Sequence, residues 1–176
     1  MKNIYLDYAA NTPVDKDVLD AYTNVTLECF GNPNSTHIEG KKAKEKIDIA
    51  TEDIRNNLVK YCNMDLDTEI IYTSGSSESN NMAIKGVARA YRHYGKHIIT
   101  TFLEHSSVSS PLTALKEQGY EIDIVGLDAE GKVDIDSLKE LLREDTILVS
   151  VCFVDSELGK IKVDLNGDRK STRLNS

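Results

Sequence analysis

Apolar residues in the first third of the chain recur at spacings of three or four, which is the period of an amphipathic helix. One helix is predicted from Asp15 to about Cys29, with Asp15 as a candidate N-cap. A longer helix is predicted from about Gly40 to Cys62. The apolar positions that mark the two helices are Val18, Leu19, Tyr22 and Val25 in the first, and Ala43, Ile47, Ala50, Ile54 and Leu58 in the second.

After residue 68 the pattern changes to short apolar runs that alternate with helical segments. The predicted strands are 69–73, 96–101, 120–125 and 146–151, and the predicted helices between them are 77–94, 107–118 and 136–143. Alternating strands and helices are typical of βαβ units, which build a parallel sheet. We therefore predict an α/β fold with three layers, in which a mostly parallel sheet carries helices on both faces.

Composition and charge exclude several classes of protein. The chain has 176 residues, about the size of one domain, and a net charge of −8, which disfavours binding to nucleic acid. No apolar run approaches the ~18 residues that a membrane span needs, and the first residues do not resemble a signal peptide, so the expected location is the cytoplasm. The three cysteines are widely spaced without a C-x-x-C motif, which argues against a metal site or a disulfide framework. We expect them to be reduced and mostly buried.

Three polar stretches follow predicted strands: Ser74–Asn81, Glu104–Ser107 and Asp155–Gly159. Open α/β sheets bind ligands at the carboxyl ends of their strands, so these stretches are expected to meet in one crevice.

The first stretch has the composition of an anion-binding turn. Gly75 permits a tight turn and a close backbone approach, and Ser76 and Ser77 would offer N–H groups and hydroxyls at a helix start. The alternative is ordinary capping of the helix by one of the serines. A Walker A loop is excluded because no lysine follows the glycine.

Among the histidines, His105 is the strongest candidate for chemistry because it closely follows a predicted strand. Its imidazole could stack on a flat ring or move protons near neutral pH. The alternative is a surface or hydrogen-bonded histidine. His37, His93 and His97 are weaker candidates, and the last two are expected in a charged, solvated connection.

Six segments, taken together and in order, resemble the cysteine desulfurases of the class V aminotransferase superfamily. The segments are 4–13 (IYLDYAANTP), 30–37 (FGNPNSTH), 72–81 (YTSGSSESNN), 96–100 (KHIIT), 104–105 (EH) and 145–150 (DTILVS). The resemblance extends from residue 4 to about 164. It implies a fold-type I enzyme that uses pyridoxal 5′-phosphate, forms homodimers and acts on L-cysteine. Such an enzyme releases L-alanine and leaves a persulfide on one of its own cysteines. A sulfur-acceptor protein then takes the sulfur for iron–sulfur clusters or thiolated cofactors.

The resemblance also implies roles for individual residues. Ser76 and Ser77 match the positions that bind the cofactor phosphate, and His105 matches the imidazole that stacks on the pyridine ring and moves protons. Ser156 stands where the family usually has an asparagine that hydrogen-bonds the phenolic oxygen of the cofactor. Serine is shorter but can still donate one hydrogen bond.

Three groups essential to the family's chemistry are expected beyond Gly167: an aspartate for the pyridinium nitrogen, the Schiff-base lysine and the persulfide cysteine. The last nine residues, 168–176, resemble the translation of a sequencing-adapter oligonucleotide and are expected not to be native. The predicted organisation is a segment 1–14 that joins a small domain, a partial large cofactor-binding domain over 15–167, and this tail. The chain alone is predicted to be inactive.

Other functions remain open at this stage. Within the superfamily the alternatives are a class V aminotransferase and a selenocysteine lyase. From other classes, a non-catalytic α/β scaffold that binds partners is the main alternative. A phosphate- or nucleotide-binding module built around Ser74–Ser77 is disfavoured by the absence of a Walker lysine and of G-x-G-x-x-G.

Overall fold

A computed structural model describes residues 4–62, 64–65, 67–155 and 159. The chain separates into two compact units, Met1–Tyr72 and Thr73–Ser176. The first contains helices α1 (Lys16–Glu28) and α2 (Ile38–Cys62). The second contains α3 (Ser76–Tyr91), β1 (His97–Thr101), α4 (Ser106–Glu117), β2 (Glu121–Val125), α5 (Ile135–Leu141) and β3 (Thr146–Ser150). Among the described residues, no helix is long and apolar enough to cross a membrane.

The two helices of the first unit form where the sequence predicts them. Asp15 caps α1, because its side chain accepts the N–H of Asp17. Helix α2 begins at Ile38, two residues before the predicted start, and Nδ1 of His37 accepts the N–H of Gly40. A Cβ at Gly40 would lie 2.4 Å from the carbonyl oxygen of Ser35, so glycine lets this first turn pack against the preceding loop. The apolar face of α1 is exposed: none of its residues is buried.

The predicted strand 69–73 is wrong. Within the described part of the chain this stretch pairs with no other strand, although Ile70, Ile71 and Tyr72 have high β propensity. A strand needs a neighbour whose N–H and C=O groups satisfy its own, and propensity alone does not supply one. The hydroxyl of Tyr72 instead forms a 2.8 Å hydrogen bond with the hydroxyl of Thr51 on α2.

The second unit confirms the predicted α/β fold. Its three strands are parallel in the order β2–β1–β3. All five residues of the central strand β1 are buried, as expected where both faces of a parallel strand are covered. Strand residue Ile98 packs into the cluster formed with α3 and α4, and its neighbour Ile99 packs into the cluster on the α5 side. Helices therefore cover both faces of this sheet.

The first core cluster combines α3, β1 and α4. Its buried members are Ile84, Ala88, Ile98, Val108, Leu112, Leu115 and Tyr120. The hydroxyl of Tyr120 donates a 2.8 Å hydrogen bond to the carbonyl of Ala88, which ties the start of β2 to α3. This packing fixes the position of α3 relative to α4, the two helices that carry the candidate site.

The burial of His97 contradicts the prediction that it lies in a solvated connection. It is the first residue of β1 and is fully buried. Its Nδ1 lies 2.7 Å from Oγ1 of Thr146 on β3, and its Nε2 lies 3.0 Å from Oδ2 of Asp123 on β2. Because it joins all three strands at their amino-terminal half, His97 is a structural residue rather than part of the site at the opposite edge.

Candidate functional site

Helix α3 begins without a side-chain cap. Gly75 holds the N-cap position and no side chain bonds to the first turn as a cap. In α1, α4 and α5, by contrast, the preceding residue accepts a backbone N–H from the first turn. The alternative that Ser76 or Ser77 caps α3 is therefore wrong. The two serines are exposed as the first helical residues, where unpaired N–H groups and the positive end of the helix dipole coincide.

The conformation of Gly75 does not require glycine. Its φ of 162° and ψ of 176° describe extended backbone, which any residue adopts, and the chain bends at residues 74 and 75 before the helix begins. A Cβ at this position would meet no atom of the described residues within 4 Å. This open space in front of the helix start leaves room for a ligand to approach the backbone.

Glu78 adds a negative charge to the first turn of α3. Its carboxylate accepts two 2.7 Å hydrogen bonds from Ser74, one from the backbone N–H and one from the hydroxyl. The backbone hydrogen bond, reinforced by the hydroxyl, holds the pKa of Glu78 below its usual range. The carboxylate is thus ionised at neutral pH, and its hydrogen bonds go to Ser74 rather than to Ser76 or Ser77.

His105 is the N-cap residue of α4. Its Nδ1 accepts the backbone N–H of Ser107 at 3.1 Å and lies 2.9 Å from the hydroxyl of Ser107. The rest of the side chain is exposed at the carboxyl edge of the sheet. Nδ1 therefore serves as the N-cap acceptor of α4, and the exposed ring is accessible to a ligand.

Two of the three stretches predicted to converge are joined directly. Nδ2 of Asn80, one turn into α3, donates a 2.9 Å hydrogen bond to Oγ of Ser107 in α4. The candidate anion-binding turn at Ser76 and Ser77 and the side chain of His105 consequently lie at the same end of two packed helices.

The third stretch begins close by, because Glu104 links the ends of two strands. Its Oε1 accepts a hydrogen bond from the hydroxyl of Thr101, at the end of β1, and a 2.8 Å bond from the N–H of Cys152, just after β3. Asp155 is buried. Ser156, the remaining predicted cofactor-binding residue, lies outside the described residues.

The sequence places Asn80, Glu104 and Ser107 within the stretches expected to meet, but it predicts no individual role for any of them. Helix α4 was expected to begin at Ser107, which concealed the N-cap role of the residue two positions earlier. An N-cap side chain accepts the backbone N–H two or three residues later, and His105 stands directly before the helical segment with an acceptor nitrogen at this spacing. The contact with Asn80 depends on tertiary packing and has no local signal.

The cysteines do not match the expected burial. Cys62 is exposed at the end of α2, whereas Cys29 and Cys152 are half-buried. All three are free thiols, and the Sγ of Cys152 donates to the carbonyl of Val154 at 2.8 Å. Apolar burial is limited in the first unit, where Ala43 is the only core residue among those described, so its cysteines stay near the surface.

A family-level match decides the relationship of this chain to known proteins. The family described as "Aminotransferase class-V" matches residues 4–165. The chain belongs to the class V aminotransferase family. This class V chain is 46% identical over 161 residues to "Cysteine desulfurase IscS" of Dictyoglomus turgidum, and 42% identical over 160 residues to the protein of the same name from Neisseria meningitidis serogroup C.

Solved structures agree with the sequence relatives. A "NIFS-LIKE PROTEIN" superposes on this chain with a TM-score of 0.76 at 34% identity. The superposed region covers 87% of this chain and 41% of the neighbour's chain. A structure titled "SspA in complex with cysteine" gives a TM-score of 0.77 at 34% identity. The superposed region covers 89% of this chain and 44% of the SspA chain.

The shared region is only part of each relative. The matches cover 92% of this chain but 40% of the Dictyoglomus protein, and 90% of this chain but 38% of the Neisseria protein. The class V chain therefore spans about 40% of the length of the curated relatives it matches.

Proposed function

We propose that this chain is the amino-terminal part of a cysteine desulfurase that uses pyridoxal 5′-phosphate. The observation that carries the proposal is the pairing of an uncapped helix start at Ser76–Ser77 with an exposed imidazole at His105, the two being linked through Asn80 and Ser107. The identity of 46% to a protein named as a cysteine desulfurase supports this reaction class.

The residues present fit the cofactor. A phosphate dianion suits the unpaired N–H groups of a helix N-terminus, and the described residues leave open the space that a Cβ at Gly75 would occupy. The hydroxyls of Ser76 and Ser77 add donors, and a flat imidazole suits the face of a pyridine ring. The charge of Glu78 works against an anion, but its hydrogen bonds to Ser74 occupy the carboxylate.

In the proposed enzyme, each residue has a limited task. Ser76, Ser77 and the backbone of the first turn hold the phosphate, and Ser156 donates to the phenolic oxygen. His105 holds the ring from one side and moves a proton at its free nitrogen. The cofactor supplies an electron sink that labilises bonds to the substrate's α-carbon.

The net reaction transfers sulfur from L-cysteine to an enzyme thiol. The C–S bond of the substrate breaks, an S–S bond forms, and the β-carbon that carried the sulfur takes up a proton, so that L-alanine and a persulfide result.

The proposal also includes a homodimer, a cytoplasmic location and a sulfur-acceptor protein for iron–sulfur cluster or thiolated cofactor synthesis. It also places the cofactor-binding lysine and the persulfide cysteine outside this chain.

Binding of a phosphorylated ligand tests the site without those missing groups. Pyridoxine 5′-phosphate lacks the aldehyde and so does not react with surface lysines. We expect calorimetry to show that it binds the chain more tightly than pyridoxine does. The Ser77→Ala variant should weaken this binding about tenfold or more, since hydrogen bonds to charged groups contribute about 1.5–3 kcal/mol. Ser110→Ala, at an exposed serine of α4, is the matched control. Equal affinity for the two ligands, or equal effects of the two variants, would refute the phosphate site.

Turnover tests the second part of the proposal. With L-cysteine and pyridoxal 5′-phosphate added, the purified chain should release no alanine above a protein-free control, because it lacks the lysine and the cysteine. Alanine formation that scales with protein concentration over many turnovers would show that the chain carries a complete catalytic site.

A further inference from the structure

A chain of hydrogen bonds, called the relay below, runs from Asn80 on α3 through Ser107 to the imidazole of His105. Nδ2 of Asn80 lies 2.9 Å from Oγ of Ser107, and this oxygen lies 2.9 Å from Nδ1 of His105. The backbone N–H of Ser107 also points to the same nitrogen, at 3.1 Å.

The chemistry of the groups sets the direction of each bond. An amide NH2 group can only donate, so the hydroxyl oxygen of Ser107 is the acceptor for Asn80. The hydroxyl proton of Ser107 is then available to the imidazole. A backbone N–H also only donates, and a proton on Nδ1 would clash with it. Nδ1 is therefore the acceptor nitrogen.

A neutral imidazole has one acceptor and one donor nitrogen, so its proton must be on Nε2. We propose that Asn80 and Ser107 are positioning residues that hold His105 in the Nε2–H tautomer and fix the orientation of its ring. The relevance to catalysis rests on the proposed function, in which this ring lies against the cofactor. The tautomer itself depends only on residues of this chain.

Burial makes the relay more than a surface contact. Ser107 is 7% exposed, so water does not readily replace Asn80 or the imidazole as its partner. His105 is exposed, and within the described residues no hydrogen bond involves its Nε2. The relay consequently engages Nδ1 and leaves Nε2, the donor nitrogen, without a partner among the described residues. It also couples the ring to the helix that begins with Ser76 and Ser77.

The tautomer can be measured in the isolated chain by nitrogen NMR of histidine rings. The chain is labelled with ¹⁵N-histidine, and spectra are recorded at about pH 9, where an unperturbed imidazole is neutral. His105→Gln identifies the signals of His105 among the four histidines. We expect Nε2 to resonate as a protonated nitrogen and Nδ1 as an unprotonated nitrogen shifted upfield by its donors.

Variants separate the relay from simple packing. Ser107→Ala should move the Nδ1 signal downfield, and Ser107→Thr, which keeps the hydroxyl, should restore it. Asn80→Asp is the sharper test, because a carboxylate would accept the hydroxyl proton of Ser107 and withdraw it from the ring. It should therefore reproduce the shift of Ser107→Ala although the serine is intact. Asn81→Asp is the matched control and should leave His105 unchanged, because the side-chain amide of Asn81 donates to the carbonyl of Ser77 and not to Ser107.

The results distinguish this inference from the proposed function. A protonated Nδ1, or an Nδ1 signal that is the same in Ser107→Ala and Asn80→Asp as in the unaltered chain, overturns the relay even if pyridoxine 5′-phosphate binds. The expected shifts without ligand binding would uphold the relay and count against the cofactor site alone. In a chain that binds, Ser107→Ala should weaken the affinity for pyridoxine 5′-phosphate and Ser107→Thr should restore it.

Discussion

Replacing Ile98 by alanine should lower the free energy of unfolding of the second unit by about 2–5 kcal/mol. Ile98 is fully buried in the central strand and packs within the cluster formed by α3 and α4. Its side chain lies in the cluster formed with both of these helices, so truncation would remove transfer free energy and also leave a cavity that rigid neighbours cannot fill. Urea denaturation followed by circular dichroism measures the change.

A second isoleucine, on the neighbouring strand, provides the control. Ile124 in β2 is 55% exposed, so Ile124→Ala should cost about 1 kcal/mol or less. Equal losses for the two variants would show that Ile98 does not occupy the core of the folded chain.

Gly95→Ala should destabilise the second unit by about 1–3 kcal/mol, the usual cost of overpacking. A Cβ at Gly95 would lie 2.1 Å from the carbonyl oxygen of Asp145, and that carbonyl accepts the N–H of His97 at the start of β1. The neighbour is backbone rather than a flexible side chain, so the turn before β1 must move and the first contact between β1 and β3 is strained. The midpoint and slope of a urea titration measure the effect.

The same substitution at another glycine should have the opposite sign. Gly86 lies in the middle of α3, is exposed, and has no atom within 4 Å of a Cβ. Gly86→Ala should therefore stabilise the chain by about 0.5–1 kcal/mol through helix propensity. Destabilisation by Gly86→Ala as large as that by Gly95→Ala would contradict the packing described around both positions.

Periodicity predicted most helices and three strands because their burial follows local rules. Helix α1 and its cap at Asp15 are examples, since a carboxylate accepts a first-turn N–H using residues adjacent in sequence. The same approach failed for 69–73, where apolar β-branched residues resemble a buried strand but no neighbour pairs with them. It also placed His97 in solvent, because the partners that bury it, Asp123 and Thr146, lie 26 and 49 residues away.

The candidate site was predictable where function follows from a residue's place after a strand. His105 was selected in this way because it follows β1, although its N-cap role was not predicted. The turn at Ser76 and Ser77 was selected by the same rule, although residues 69–73 before it form no strand. The contact of Asn80 with Ser107 spans 27 residues and arises only when α3 packs on α4. Such supporting contacts are set by tertiary geometry, so a sequence can indicate the chemical groups before it indicates what orients them.

The strand order has a consequence for synthesis on the ribosome. β1 is made first but lies between β2 and β3, and its pairing with β3 joins His97 to Thr146. The central ladder therefore cannot close until about fifty further residues have left the exit tunnel. Until then the apolar side chains of β1 must be shielded by the nascent helices α3 and α4 or by a chaperone. Slow translation far enough beyond the codon for Ser150 that β3 has already left the tunnel would give this ladder time to form.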